Sequence, residues 1–496
     1  MPEDALNFTQ KLDHFDASSQ ETFNQRYYKI TKNSTANVSA LFFYIGGEAP
    51  LIGKRMLSLA PVDLAEKNNA VLFGLEHRFF GNSAPTNLTI ENLKYLTIEQ
   101  GLADLAHFIN AMKQDYDHTV RIGVIGGSYP GALSSWFRLL YPHLADVSWA
   151  SSAPVEAKNN FTEYDYHCYE AITSVGGDKC SENTRKAFQY LETEDYNEVA
   201  KKFIGNDTPP EDHATLYYMV ADTIATPVQY KRSSENLTYL CDLMNKLPEK
   251  ATKTEYIDVL AKVTKEILQG ESIWDSDLTQ YTDVSIDAPT KDGRAWTWMT
   301  CNQVGWFQTA SGKLRSDSIN LEYFDRVCRK LFNRGIPNDK LTNQRFGGKN
   351  ARGTSTYFIN GAVDPWSTMS ITTEDRSINR LVKVIPNSYH CDDLYQNVTG
   401  EVLEAQQHVF NFTSNILKGR KCNHEGGYEV LGNCICKEAY AGEFCEISVP
   451  TREHFKVVTV ASVVVPTFLL LIIGGIVWVC GKKEDSDFGA RPALYT

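Results

Sequence analysis

The sequence predicts an α/β protein with a mostly parallel sheet, and three observations predict it. Short apolar runs alternate with helix-period segments over the first 155 residues, the strand pattern stops between 157 and 345, and it resumes near residue 355. Ala40 to Ile45 (ALFFYI) and Ala70 to Leu75 (AVLFGL) are aromatic-rich strand patterns, the first ending in Gly46-Gly47. Leu96 to Met112 carries apolar residues at helical spacing, with Thr97 placed as a cap three residues before Gln100. Arg121 to Ile125 (RIGVI) reads as a buried strand and Gly131 to Leu144 as the next helix. Amphipathic helices are expected over Ser181 to Leu191, Pro210 to Ala225, Ser234 to Leu247 and Tyr256 to Leu268, so the interruption is a helical insertion. Ser355 to Asn360 (STYFIN) and Leu381 to Ile385 (LVKVI) bring the strands back, and a helix follows over Glu401 to Leu417.

The chemistry lies at the strand ends. Arg121 to Ile125 runs into Gly126-Gly127-Ser128-Tyr129-Pro130-Gly131 and then a helix, the form of a nucleophile elbow, with Pro130 where the G-x-S-x-G pattern has its second glycine and Gly131 one residue late. Such a triad runs in the order Ser, Asp or Glu, His. Asp364 follows STYFIN in Gly361-Ala362-Val363-Asp364-Pro365-Trp366, and His390 follows LVKVI in Pro386-Asn387-Ser388-Tyr389-His390-Cys391. Taken singly, Asp364 is more commonly a helix cap or turn residue and His390 a surface or core histidine; type, order and strand context together predict an α/β-hydrolase. His390 would serve Ser128 as general base and then the leaving amine as general acid, with Asp364 orienting the ring. The backbone N–H of Tyr129 and one from Gly46 to Glu48, with Gly47 central, are candidates for the oxyanion hole; Glu48 is equally a candidate substrate-binding carboxylate. His14, His77, His107 and His143 lack metal-ligand spacing, and neither a metal nor another cofactor is implied.

These residues, with Gln10-Lys11-Leu12-Asp13-His14-Phe15, Asn24-Gln25-Arg26-Tyr27, Glu76-His77-Arg78-Phe79-Phe80-Gly81 and Ser151-Ser152-Ala153-Pro154, closely resemble the serine peptidase family of lysosomal Pro-X carboxypeptidase, dipeptidyl peptidase II and thymus-specific serine protease. The resemblance covers about residues 7 to 418, and Trp298 to Gln308 looks nearest the thymus-specific branch. It implies a hydrolase core bearing a helical cap, cleavage after proline near a peptide end, Ser128, Asp364 and His390 as the triad, and Trp366 lining a pocket for the substrate proline. Gln303 stands where the family's cap motif has a glutamate, which leaves carboxypeptidase and dipeptidyl-peptidase action both open.

The C-terminus has another composition. Val457 to Cys480 is 24 residues without a charge, enough for a transmembrane helix, followed by Lys482, Lys483 and a short polar tail. Asn-X-Ser/Thr sequons begin at Asn7, Asn33, Asn37, Asn87, Asn160, Asn206, Asn236, Asn397 and Asn411, and ten of eleven cysteines precede the span; together these predict a glycosylated, disulfide-bearing ectodomain and a cytoplasmic tail. Cys422, Cys434, Cys436 and Cys445, with the C-X-C pair and Glu446, look like the second half of an EGF-like module. Met1 opens MPEDALNFTQ without a basic or apolar leader, so this topology implies a start upstream of Met1. The expected organisation is hydrolase core over 1–156 and 346–418, cap over 157–345, EGF-like segment over 419–448, span over 457–480 and tail over 481–496.

With 42% hydrophobic and 22% charged residues the chain is globular rather than disordered. The net charge of −12 argues against a nucleic-acid partner. The expected function is a membrane-anchored, single-pass type I serine exopeptidase acting on peptides, its ectodomain extracellular or in the lumen of the secretory and endolysosomal system. A catalytically silent adhesion or receptor ectodomain on the same fold is the alternative, and the oligomeric state is open, a homodimer included.

Overall fold

The computed structural model describes residues 4–31, 38–117, 119–230 and 235–419, and further on 427–430, 433–437, 440–441 and 447–448. The chain divides into two units, Met1–Arg420 and Lys421–Thr496.

The first unit is built on one eight-stranded sheet. Its strands are β1 (Leu6–Lys11), β2 (Thr22–Ile30), β3 (Ala40–Ile45), β4 (Ala70–Leu75), β5 (Arg121–Gly127), β6 (Val147–Ser151), β9 (Thr356–Gly361) and β10 (Arg380–Ile385), in the spatial order β1-β2-β4-β3-β5-β6-β9-β10. Two further strands, β7 (Lys158–Asn160) and β8 (Gly305–Phe307), pair with each other outside it. From β4 to β10 every neighbour is parallel, while β1 and β2 extend the edge in antiparallel register. This order, with the elbow strand β5 in the middle, is that of an α/β-hydrolase sheet.

Parallel strands covered by helices on both faces read as unbroken apolar runs, and β4 is buried at all six positions. Helices of eight residues or more are numbered α1 to α12. On one face α2 (Ile98–Lys113) and α3 (Tyr129–Leu140) pack with Phe43, Phe73 and Phe108; on the other α1 (Ala60–Lys67) and α12 (Gly400–Leu417) cover Phe42, Leu72, Trp149 and Tyr357. Thr97 caps α2 as its position predicts, its hydroxyl accepting from the Gln100 N–H at 3.2 Å. The edge pair β1 and β2 is tied inward by buried amides: Gln10 Nε2 donates to Gln25 Oε1 at 2.8 Å, and Gln25 Nε2 to the Glu76 carbonyl at 2.8 Å.

Between β6 and β9 the chain leaves the sheet. It forms α4 (Thr162–Leu191), α5 (Tyr196–Ile204), α6 (His213–Gln229), α7 (Glu235–Lys246), α8 (Lys253–Leu268), α9 (Lys291–Met299), α10 (Leu321–Phe332) and α11 (Asp339–Phe346). Gly177, at φ 74°, breaks α4 into two segments. Cystines Cys180–Cys241 and Cys301–Cys328 staple these helices, and Cys168 and Cys391 are unpaired.

In the second unit, Gly427–Val430 pairs with Asn433–Cys436 and Tyr440–Ala441 with Ile447–Ser448, both antiparallel. The expected transmembrane span lies outside the described residues, and among the described ones no helix is long and apolar enough to cross a membrane. Of the seven described sequon asparagines, six are exposed; Asn236 is buried on α7, so in the folded chain its amide is out of reach of a glycan.

Candidate active site

The elbow forms because β5 must turn into α3 with almost no room. Ser128 sits at φ 61° and ψ −132°, a conformation rarely held by a residue with a side chain, and its N–H donates to the Ser151 carbonyl on β6 at 3.0 Å. A Cβ on Gly126 would lie 2.1 Å from the Pro130 carbonyl oxygen, and one on Gly131 2.5 Å from the Ser151 oxygen. Gly131 therefore supplies the close approach expected one position earlier, and Pro130 fits because it falls in the first turn of α3, where no N–H is needed. A serine at a helix start normally spends its oxygen on an amide of the first turn. Ser128 makes no such bond and lines a cavity instead, with Glu48, Tyr164, Trp306 and Trp366.

Asp364 and His390 follow β9 and β10. His390 Nδ1–H donates to Asp364 Oδ2 at 2.7 Å, with both side chains at most 4% exposed. Asp364 also accepts from the Trp366 N–H at 3.0 Å, so the helix-cap role and the pairing with His390 coexist. Burial disfavours a charged imidazole, but the Asp364 carboxylate, with the Cys391 thiol beside it, raises the His390 pKa well above the ordinary histidine range. The structure brings Asp364 and His390 together. Among the described residues no hydrogen bond joins Ser128 Oγ to His390; bonds of this kind tighten in the substrate complex.

Gly47 stands against the elbow, since a Cβ there would meet Pro130 Cγ at 2.6 Å, which sets the loop after β3 beside the first turn of α3 as an oxyanion hole requires. Glu48 lines the cavity with Ser128, and burial pushes its carboxyl up, opposed by its own N–H and by His390. Tyr129 is buried; its phenol is raised by burial and donates to His77 Nε2 at 3.1 Å. His77 is held near pKa 4 by burial and gives its Nδ1–H to the Arg78 carbonyl, so it is a neutral prop beneath the elbow. Trp366 lines the cavity, with its Nε1–H on Gln229 Oε1 at 3.1 Å and its ring against Phe161, Tyr164 and Trp306. Gln303 is elsewhere: it accepts from the Ile98 N–H at 2.7 Å and donates to Glu99 at 2.8 Å, bracing the start of α2.

Three contributors were not legible in advance. Gln229, at the end of α6, holds Trp366 by its side chain and the His390 N–H by its carbonyl at 2.9 Å, and Tyr230 follows it along the wall. Asp393 accepts from Ser151 Oγ at 2.5 Å and Trp149 Nε1 at 2.9 Å, fastening the histidine loop to the strand that holds the Ser128 N–H. Burial pushes the Asp393 carboxyl up to about 7 against both bonds. Among the described residues no cluster of His, Cys, Asp and Glu could hold a metal ion.

The chain is similar to known serine peptidases over most of its length. Over 78% of this chain and 81% of their own, the mouse thymus-specific serine protease and the bovine lysosomal Pro-X carboxypeptidase are each 28% identical to it. "Probable serine protease EDA2" of Arabidopsis thaliana is 30% identical over 79% of this chain and 81% of its own. The proline iminopeptidase of Mycobacterium smegmatis aligns over 83% of this chain and 98% of its own at 12% identity and a TM-score of 0.34, so the fold assignment rests on strand order and not on that alignment. The pattern of the family described as "Serine carboxypeptidase S28" matches residues 10–409, and the chain belongs to that family of serine peptidases.

Proposed function

We propose that the chain is a membrane-anchored serine exopeptidase that hydrolyses peptide bonds next to proline near a peptide terminus. The observation that carries this reading is a strained, uncapped Ser128 facing the cavity that Trp366 lines, with the buried His390–Asp364 pair at neighbouring strand ends. His390 takes the Ser128 proton as Oγ attacks the scissile carbonyl, and the oxyanion is met by the N–H groups of Tyr129 and Gly47. The imidazolium, stabilised by Asp364, returns the proton to the leaving amine; water then repeats the sequence on the acyl-enzyme. Trp366, Trp306 and Tyr164 give the cavity an aromatic wall, which suits a compact apolar proline ring, and the name of the bovine relative speaks of Pro-X bonds.

The anchor is Val457 to Cys480, with the ectodomain extracellular or lumenal and the tail cytoplasmic. The two short ladders and a disulfide-bonded Cys436 support an EGF-like stalk between enzyme and membrane.

Hydrolysis of Pro-X and X-Pro peptides by the full-length protein beside Ser128→Ala tests the reading. A loss of at least about 10³-fold in kcat is expected. Equal hydrolysis by both proteins would sink it, and a fluorophosphonate that fails to label Ser128 would favour the silent ectodomain.

A further inference from the structure

Two cavities flank the nucleophile and histidine, and neither has a lysine or arginine in its wall. The one holding Ser128, of about 310 Å³, has three ionisable carboxylates in its wall, Glu48, Asp222 and Asp275, and no lysine or arginine. The other, of about 490 Å³, is walled by His390, Asp392, Tyr395, Val398 and Val402, again without lysine or arginine. Arg315 lies behind the first wall. Its guanidinium is 5.2 Å and 5.6 Å from the ring centroids of Tyr164 and Tyr218, its side chain is 1% exposed, and it donates to the Gln308 carbonyl and Gln308 Oε1 and lies 3.9 Å from Asp165; burial pushes the Asp222 carboxyl up, and the Arg315 charge and the bond from Ser276 oppose that. A substrate carboxylate entering the first cavity meets acidic or neutral side chains, whereas an ammonium there meets carboxyl partners; the second has basic His390 beside Asp392.

The carboxylates are also placed at a useful distance. Tyr218, Asp222, Thr226 and Gln229 recur at helical spacing, so a single face of α6 lines the cavity lengthwise, and Tyr230 follows its last residue. At its catalytic end Gln229 holds Trp366 and the His390 N–H. Asp222 lies seven residues earlier, roughly 10 Å along the axis at 1.5 Å per residue. An extended peptide covers about 3.3–3.6 Å per residue, so two to three residues span that interval. Ser276 Oγ donates to Asp222 Oδ2 at 2.9 Å, which fixes the carboxylate and leaves it acceptor sites to spare, and Asp275 is exposed one residue from Ser276.

We propose that this cavity binds the free α-amino group of a peptide substrate, with Asp222 as its main partner and Asp275 beside it, so that fragments of two to three residues leave from the amino terminus. The proposal rests on the peptidase reading above and names the terminus that is read, against the carboxypeptidase action in the family's description.

Peptides of one lysine-free, proline-containing sequence separate the possibilities. The full-length protein should cleave the form with a free amino terminus and an amidated carboxyl terminus, and acetylation of the amino terminus should lower kcat/KM at least tenfold. Mass spectrometry should find di- or tripeptide products. Equal or better cleavage of the acetylated peptide with a free carboxyl terminus would overturn the proposal. So would equally fast cleavage of an acetylated peptide carrying an added lysine, which would assign the carboxylates to a side-chain ammonium. Asp222→Asn should raise KM for the free-amino peptide about tenfold with kcat within about twofold, and exposed Asp275→Asn, the variant least able to disturb folding, should raise it in the same direction. Unchanged KM in both would count against it. Calorimetry on Ser128→Ala keeps the two readings apart: tight binding of the free-amino peptide, lost on acetylation, supports amino-terminal recognition even where wild-type hydrolysis is absent, and indifference to acetylation refutes it.

Discussion

Asp393 is a carboxylate that the fold would rather keep protonated. Unfolded, it releases its proton near 3.8; folded, it holds it to about 7, because burial outweighs the bonds from Ser151 and Trp149. The folded state therefore binds the extra proton between those values, and this residue's contribution to stability declines as pH rises from about 4 to 7. Asp393→Asn keeps a neutral, hydrogen-bonding side chain and should remove that part of the slope. Melting temperatures at pH 5 and 7.5 check it: the wild type should lose more than the variant on going to 7.5, and an equal loss in both refutes the assignment.

At the scale of elements, the elbow is the most constrained. Gly126→Ala drives a methyl group into the Pro130 carbonyl, a backbone atom that cannot step aside without shifting α3. A destabilisation of about 1–3 kcal/mol is expected, measured by denaturant unfolding, together with a fall in kcat; unaltered stability would show that the turn has slack. The same close packing decides what the sequence discloses. Strands β3 and β4 end at the residues their apolar runs predict, since strands buried on both faces have no polar positions to blur the pattern. Strands β1 and β2 went unread because they are an antiparallel edge with buried glutamines, and β6 because it has five residues, two of them serine. Ser128, Asp364 and His390, the proposed triad, could be named in advance because each lies at the end of a strand or in the loop that follows it. Asp222, Gln229, Tyr230 and Asp275 could not, for they reach the cavity only when helices of the insertion fold back over the sheet edge.

Across the whole molecule, those helices are held by covalent links. Cys180–Cys241 closes a separation of 61 residues between α4 and α7, and loop-closure entropy values such a link at about 4 kcal/mol. Cys180→Ala/Cys241→Ala should lose stability of that order in denaturant unfolding, and no loss would mean the helix packing suffices without it. The cystine sits far along the chain from Ser128, yet α6, which packs against α4 and α7, carries the cavity wall.

Tyr230 lines both cavities, so the room beside Ser128 and the room beside His390 share a wall. On the proposed acyl-enzyme route the departing peptide would leave by the His390 side while the acyl fragment stays on Ser128. A second amine admitted to the emptied room would then compete with water for the ester, and the hydrolase would act as a ligase, joining its captured fragment to a new peptide in proportion to the amine supplied.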